Sequence, residues 1–519
     1  MSWQPEVDQI AKRLELAKRL GGEERVQRQH DFGKLTIRER VDGVLDADSF
    51  QEIGGLSGLG TYEDGELADF TPAPFVGGLG KIDGRWVVVA GEDFTVGGGS
   101  AAMTQERSKA GFFEDMAREY RIPLILFLDG AGANVATTGD HGYSHVPSSP
   151  DVFGHLIKAG REVPCIGAVV GSIAGAVAAR AMLCHFTVMT EESGAMFAAG
   201  PPVVRRAIGT DVTKAELGGV EVHVKQSGAV ENAAADEPDA FNQIRKYLSY
   251  FPDNVFELPP ILETDDPPDR EEEELLSIIP RNRARPYNMR KLVRLLVDDA
   301  DFFEIQPEWG KTTIAILARV GGRPVGIVAN DPRLQGGAMS DASADKQGHF
   351  IELCDHFHIP VVFIADVPGF MIGPQAEARG TLRHGMRAFW ATYNATVPIF
   401  TVVVRKNYGM AGQATAHSGR LNFRVGWPSG EWGSIPIEGG VDAAYRREIA
   451  NAPDPDKRRA EIEHELSQFR DVFRTAEAFG IEDIIDPRKT RWHIARFLEI
   501  AYKSLPAELG VKTKSGVRP

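Results

Sequence analysis

Apolar and polar positions along the chain fall into two runs with the same rhythm. In the first, VVVAGEDF (from Val87) is a continuous apolar stretch ending in carboxylates. KAGFFEDMAREYR (from Lys109) then spaces apolar residues three and four apart, and ILFLD (Ile125–Asp129) is apolar throughout. In the second run, VGIVANDP (from Val325), KQGHFIELCDHFH (from Lys346) and VVFIAD (Val361–Asp366) keep that order. Three-and-four spacing predicts helices, and short continuous apolar runs predict strands covered on both faces. The fold class is therefore α/β, with ligands expected at the loops beyond the strand ends. Before the first run, Val7, Ile10, Leu14, Leu16, Ala17 and Leu20 suit one amphipathic N-terminal helix and no signal core.

The longest apolar stretch is Val163 to Leu183. It is interrupted by Pro164, Gly167, Gly171, Ser172, Gly175 and Arg180. Those breaks predict a strand, a tight turn and a buried small-residue helix, not a membrane span.

The two runs are an internal duplication. Gly84 and Gly322, Asp93 and Asp331, and Gly98 and Gly336 are each 238 residues apart. Pro123 and Pro360, and Asp129 and Asp366, are 237 apart; Pro164 and Pro398, and Gly175 and Gly409, are 234 apart. Three blocks in one order at nearly constant separation imply two domains of one fold, with either one site per half or a shared scaffold alone. The proline- and charge-rich segment around 255–290 is the expected connection, and its acidic run Asp265–Glu274 is expected to be a solvated surface segment. The domains are accordingly 1–260 and 285–519.

Composition narrows the function. The 519 residues carry a net charge of −15, from 58 Lys+Arg and 73 Asp+Glu. That argues against a general nucleic-acid or anionic-membrane binder. Cys165, Cys184 and Cys354 are too few and scattered for a disulfide framework or a CxxC metal site, so they read as buried thiols of a reducing, cytoplasmic protein.

The candidate chemistry sits in the glycine-rich turns. In GSIAGAV (Gly171–Val177) a buried strand enters and a small-residue helix leaves. A helix start presents unpaired N–H groups, and small residues let a ligand oxygen approach them. Aimed at a thioester carbonyl, such groups would stabilise an enolate oxyanion. RKNYGMAGQATA occupies the equivalent place in the second half, so a second oxyanion could be held there. The alternative is that both turns only pack a helix on a sheet. Ser172 lacks the G-x-S-x-G setting of a hydrolase nucleophile, and no Walker A lysine or dinucleotide fingerprint is present. Asp140, His141 and His145, and the cluster His349, Cys354, Asp355, His356 and His358, lack zinc-site spacing. They read as surface or loop residues, with a substrate contact left open for the first cluster. No metal is expected.

Four motifs carry a family resemblance: GPPVVRRAIGTDVTKAELGG (Gly200–Gly219), YNMRKLVRLLVDDADFFEI (Tyr287–Ile305), DVPGFMIGPQAEARGTLRHG (Asp366–Gly385) and VPIFTVVVRKNYGMAG (Val397–Gly412). With LTIRERVDGVLDADSFQEIG and the C-terminal EDIIDPRKTR, the chain resembles the carboxyltransferase (β) subunit of biotin-dependent acyl-CoA carboxylases. The resemblance implies two tandem crotonase-like (ClpP/crotonase) domains, the N-terminal one on the acyl-CoA side and the C-terminal one on the biotin side. It implies a homo-oligomer, commonly a hexamer, with each site shared between subunits. A biotin carboxylase and a biotin carboxyl carrier would be partners, because this chain has no ATP-grasp-like portion and no M-K-M biotinylation site. In such enzymes carbon dioxide leaves biotin, the ureido nitrogen takes the α-proton of the acyl-CoA, and the enolate captures the carbon dioxide.

Carried over by position, Gly175 and Ala176 would hold the thioester oxygen, and Met410 and Ala411 the ureido oxygen. Gly409 and Gln413 would line the substrate, and Gly130, Ala131, Gly132 and Asn134 would lie on the coenzyme A side. The chain departs from the family in three places. It reads Ala174-Gly175-Ala176-Val177 for A-G-G-A and Tyr408-Gly409-Met410-Ala411-Gly412-Gln413 for Y-G-G-A-Y-D. It also lacks the arginine of S-G-G-A-R-I. Gln413 stands where an acidic residue tied to acyl-chain choice is common. GPPVV looks like the branched, unsaturated acyl-CoA members, and the second half like the propionyl-CoA members. Two rival readings keep the fold: a decarboxylase or transcarboxylase, and a non-catalytic scaffold.

Overall fold

The computed structural model describes residues 2–99, 109–132, 142 and 152–512. The chain forms two compact units, one holding residues up to Glu257 and the stretch from Gly510, the other Leu258–Leu509. The segment read as a connection is fastened to the second unit from Leu258 onward. Leu262 N–H donates to Gly322 O at 3.0 Å, and Arg491 Nε donates to Pro267 O at 2.9 Å. The acidic run is likewise pinned: Asp266 pairs with Arg270 at 2.7 Å, and Glu273 with Arg488 at 2.8 Å. Most of the run is exposed, as a solvated surface segment should be, and these opposite charges within hydrogen-bond reach fix it to the surface of that unit.

In the first unit the described strands are β1 (Gln51–Glu52), β2 (Gly58–Glu63), β3 (Glu66–Pro72), β4 (Phe75–Ile82), β5 (Arg85–Glu92), β6 (Leu124–Leu128), β7 (Cys165–Val169), β8 (Ser172–Ala174), β9 (Phe186–Thr190), β10 (Ala195–Phe197) and β11 (Asn232–Ala234). The main sheet runs β1-β4-β5-β6-β7-β9-β11, with β2-β3 and β8-β10 as separate pairs. In the second unit they are β12 (Phe302–Ile305), β13 (Thr313–Val320), β14 (Arg323–Asn330), β15 (Val361–Val367), β16 (Ile399–Tyr408), β17 (Phe423–Gly426), β18 (Glu431–Gly433) and β19 (Asp483–Ile484). Their order is β12-β13-β14-β15-β16-β17-β19, with β18 beside β16. Each sheet starts antiparallel and becomes parallel, from β5 in one and β14 in the other. The continuously apolar runs β6, β7 and β15 are buried along their whole length, because helices cover both faces.

The duplication reaches further than the three sequence blocks. The β4–β5 hairpin turns through Asp83 and Gly84 at φ 50° and 80°, and β13–β14 through Gly321 and Gly322 at φ 59° and 73°. Two positive φ values in a two-residue loop match the twist of the flanking strands. A carboxylate accepts both loop N–H groups each time: Asp46 from Asp83 and Gly84 (3.0 and 2.8 Å), Asp298 from Gly321 and Gly322 (2.9 and 2.7 Å). A C-terminal arginine then pairs with it, Arg245 at 3.0 Å and Arg491 at 2.7 Å. Arg38 with Glu52 and Arg290 with Glu304 form a second matched pair. This fourth block is 252 residues apart, and the separation falls to 238 beyond it because the β2–β3 hairpin lies between β1 and β4 only in the first unit. That shift hid it from a search at constant offset.

Lysines held by backbone carbonyls repeat too, Lys109 half-buried and Lys346 buried. Lys109 Nζ donates to Gly54 O and Phe75 O at 3.1 and 2.7 Å. Lys346 Nζ donates to Gln306 O and Trp309 O at 2.7 and 3.2 Å. Burial pulls their pKa values down to about 8 and about 7.

Several expectations are revised by packing. The N-terminal helix is Gln4–Ala17, but it buries only Leu16 and Ala17, leaving Val7, Ile10 and Leu14 exposed. His356, at the end of the helix Asp341–His356, and His358, in the turn before β15 as a loop residue would be, are both buried, at 2% and 0% exposure, so neither lies at the surface. Asp355 accepts the N–H groups of Thr396 and Val397 at 2.6 and 3.0 Å, anchoring the entry to β16. Among the cysteines, Cys165 and Cys354 are buried and Cys184 is half-buried. No described helix is long and apolar enough to cross a membrane.

Lys346 yields a signed prediction. Its folded pKa lies below its unfolded one, so the native state sheds the proton first and stability from this group rises with pH between about 7 and 10. Unfolding free energies of the wild type and Lys346→Met, compared by urea titration across that range, should diverge in favour of the wild type by a few kcal/mol. A constant difference would show that Lys346 stays charged.

Candidate active site

The two turns singled out in the sequence are structurally equivalent. After β7 the chain passes Val170 and Gly171, forms β8, and turns at Gly175 (φ 57°, ψ −120°) into the helix Ala176–Ala181. In the second unit β16 continues unbroken to Tyr408, and Gly409 (φ 60°) opens the helix Gly409–Gln413. β8 corresponds to the tail of β16, since β8 pairs in parallel with β10 as Lys406–Tyr408 pairs with β18. A Cβ on Gly175 would meet nothing within 4 Å, so the glycine there answers to the positive φ and not to space. At Gly409 a Cβ would also come within 3.3 Å of Ser434 O.

Each strand before these turns ends near a buried carboxylate that is already occupied. Asp129, at the end of β6, accepts from Lys34 (2.7 Å), Arg40 (3.0 Å) and Gln29 (3.1 Å). Asp366, in β15, accepts from Tyr287 (2.9 Å), Arg405 Nε (3.0 Å) and Lys406 N–H (3.1 Å). Arg405 stands where the first unit has Gly171. A Cβ on Gly171 would fall 1.9 Å from Asp129 Oδ1, so in that half the cation comes from Arg40 instead. Burial holds the Lys34 amine below its ordinary pKa despite Asp129, and pushes the Tyr287 hydroxyl well above its own. Neither carboxylate is open to act as a base.

Beneath the first turn lies a charge triad. Arg180, from the same helix as Ala176, pairs with Glu92 and Glu114, both at 2.7 Å. Burial opposes its charge, but Glu114 and Glu92 outweigh that and raise its pKa. Burial raises the Glu92 pKa against the pull of Arg180. The triad ties the helix behind the turn to β5 and to the helix Lys109–Tyr120.

The sequence-derived site residues are distributed as follows. Gly175 and Ala176 are both exposed at the turn. Gly175 N–H donates to Phe197 O at 3.4 Å, the long end of the range, which leaves the helix-start N–H of Ala176 as the better donor to a ligand. Gly130, Ala131 and Gly132 adjoin this turn: a Cβ on Gly132 would stand 2.7 Å from Ala174 O, and one on Gly130 3.3 Å from Val177 Cγ2. Ala131 N–H is held by Gly98 O at 3.0 Å. Asn134, and the cluster Asp140, His141 and His145, lie outside the described residues.

In the second unit a cavity of about 530 Å³ opens beside the turn, lined by Gly409, Met410 and Gln413. Met410 is 38% exposed, whereas the Ala411 side chain is buried against Val367 and Ala388. Sequence reasoning missed Asn407, Gly412, Arg424 and Trp432, which line the same cavity. A Cβ on Gly412 would meet Asn407 Oδ1 at 2.6 Å. Arg424 and Trp432 sit on β17 and β18, and only the pairing of those strands with β16 brings them to the turn. No spacing in the sequence signals that.

The described residues offer oriented N–H groups and a cavity. They hold no group of three His, Cys, Asp or Glu placed to bind a metal. This is equipment for stabilising negative charge by hydrogen bonding.

Comparison with known proteins agrees with that geometry. The carboxyl transferase domain model matches residues 28–514. The propionyl-CoA carboxylase carboxyltransferase subunit of Haloferax mediterranei is 35% identical over 98% of this chain and 98% of its own. The methylmalonyl-CoA decarboxylase subunit alpha of Veillonella parvula is 32% identical over 94% of each chain. The crystal structure of transcarboxylase 12S, a hexamer with methylmalonyl-coenzyme A and methylmalonic acid bound, superposes with a TM-score of 0.88 at 34% identity, covering 97% of this chain and 96% of that one. The two units are thus tandem crotonase-like domains, and the chain is an enzyme of the carboxyl transferase family.

Proposed function

We propose that the protein is the carboxyltransferase subunit of a biotin-dependent acyl-CoA carboxylase, working as a homohexamer with a biotin carboxylase and a biotin carrier. The observation that carries this reading is the pair of equivalent glycine turns, Gly175 and Gly409, each at φ near +60° and each opening a helix. Two sites for negative oxygen, one per half, match a reaction with one oxyanion on the acyl thioester and another on the biotin ureido group.

In this reading Gly175 and Ala176 direct N–H groups at the thioester oxygen, with Ala176 the main donor. Gly130, Ala131 and Gly132 border that site on the coenzyme A side. Met410 and Ala411 N–H groups face the ureido oxygen. The cavity beside them is roomy enough for a fused bicyclic head group and mixes amide side chains with Met410 and Trp432. When bound there, carboxybiotin supplies the carboxyl group. The protein's contribution is orientation and oxyanion stabilisation, because Asp129 and Asp366 are already hydrogen-bonded.

Kinship to the Veillonella parvula decarboxylase subunit supports a second reading, the reverse removal of a carboxyl group to biotin. Incubation with a carboxylated carrier and short, branched and unsaturated acyl-CoAs should give a carboxylated product. If only carboxylated acyl-CoAs react, losing their carboxyl group to free carrier, the second reading holds.

Gly175→Val places a β-branched residue at positive φ. It should lower kcat by roughly 10²-fold or more while oligomer size by light scattering stays the same. Full activity in that variant would sink the oxyanion role of this turn. Gln413→Asp should redistribute kcat/KM among acyl-CoAs more than it changes the best rate; an unchanged profile would remove Gln413 from substrate choice.

A further inference from the structure

The cavity beside the second turn contains an unmatched charge. Of its lining residues, Arg424 is the only charged one. Among the described residues no carboxylate oxygen lies within 4 Å of its guanidinium, and neither Nε nor the terminal nitrogens make a hydrogen bond. Nε is buried without an acceptor. The nearby Glu482 carboxylate accepts the Arg424 backbone N–H at 2.7 Å instead.

The fully buried arginines, by contrast, are paired. Arg40, Arg180, Arg405 and Arg491 each meet a carboxylate within 3.0 Å. Arg424 is half-buried: its Nε is cut off from water, while its terminal nitrogens open onto a cavity with no other charge, which leaves the fork free to receive an anionic ligand group.

We propose that a carboxylate of the bound ligand docks against Arg424 in this cavity. The inference rests on the acyl-CoA carboxyltransferase reading and narrows its substrate. The planar fork of one guanidinium matches one carboxylate. Val403, Met410, Trp432 and Ile481 give the cavity an apolar lining on which a short acyl stem can lie beside the biotin head group, and Asn407, Gln413 and Ser434 add neutral polar groups. No second cation lines it, which favours a carboxylate over a pyrophosphate. The carboxylate has two possible sources: the far end of a dicarboxylic acyl group, or the carboxyl group in transit.

The test uses the intact oligomer, carboxylated carrier, and two acyl-CoAs of equal carbon count, glutaryl-CoA and valeryl-CoA. If the carboxylate belongs to the acyl group, Arg424→Gln raises KM for glutaryl-CoA by roughly 10–100-fold and leaves valeryl-CoA unaffected. If it is the group in transit, kcat falls alike for both substrates with KM retained. Arg424→Lys keeps the charge without the fork and should fall between the wild type and Arg424→Gln. Unchanged kinetics for both substrates in Arg424→Gln overturns the proposal.

Trp432 provides a readout that needs neither turnover nor the Arg424 variants. Wild-type fluorescence is titrated with glutaryl-CoA, valeryl-CoA and bicarbonate, and the response of Trp432→Phe is subtracted to isolate this one of the seven tryptophans. A Trp432 response to glutaryl-CoA or bicarbonate that weakens with salt, against little response to valeryl-CoA, supports the proposal. Equal responses to all three overturn it. A wild type inactive with every acyl-CoA would count against the carboxyltransferase reading, whereas an active wild type with an unaltered Arg424→Gln profile counts against this inference alone.

Discussion

A carboxylate at the end of a strand buried on both faces must be neutralised in place, and both halves of the protein are organised around that requirement. Asp129 and Asp366 are fully buried. The segments around them supply their partners: Lys34 and Arg40 before the first sheet, Tyr287 and Arg405 in the second unit. Withdrawing any one partner would leave charge in a low-dielectric interior. The same contacts hold the strand ends from which the two glycine turns start, so the geometry of the turns depends on this neutralisation.

The duplicated halves solve the problem with different residues at equivalent points. Where Arg405 reaches Asp366 from the next strand, Gly171 leaves room and Arg40 arrives from a separate helix. Glu92 and Asn330 also correspond: each accepts the backbone N–H of the strand-end aspartate, at 3.4 and 3.1 Å. Only Glu92 brings a second charge, and with it the Arg180–Glu114 triad behind the first turn. The backbone device is shared, and the side chains beneath it have diverged. That divergence is what one expects of two turns facing different ligands.

Much of this was legible in order along the chain. Continuous apolar runs marked the parallel strands, three-and-four spacing marked the helices Lys109–Tyr120 and Asp341–His356, and matched glycines marked the hairpins and both turns. Those signals are local, since a glycine at positive φ or an apolar period needs no distant partner to be recognised. The Arg38–Glu52 and Arg290–Glu304 pairs were harder to see, because an inserted hairpin changes the spacing between repeats. The burial of His356 and His358 was missed because polarity, read along one element, does not show what packs over it.

The sequence by itself determined the α/β class, the duplication, the positions of the glycine turns and the breaks that divide Val163–Leu183 into strand, turn and helix, since each follows from residue type and spacing along one strand or helix. The tertiary structure decided which charges are compensated. Asp129 is neutralised by residues about 90 to 100 positions away, Arg491 by Asp298 193 positions away, and Arg424 by nothing within the described residues. Electrostatic pairing depends on distance through space, and chain position does not encode it until the strands have been placed side by side.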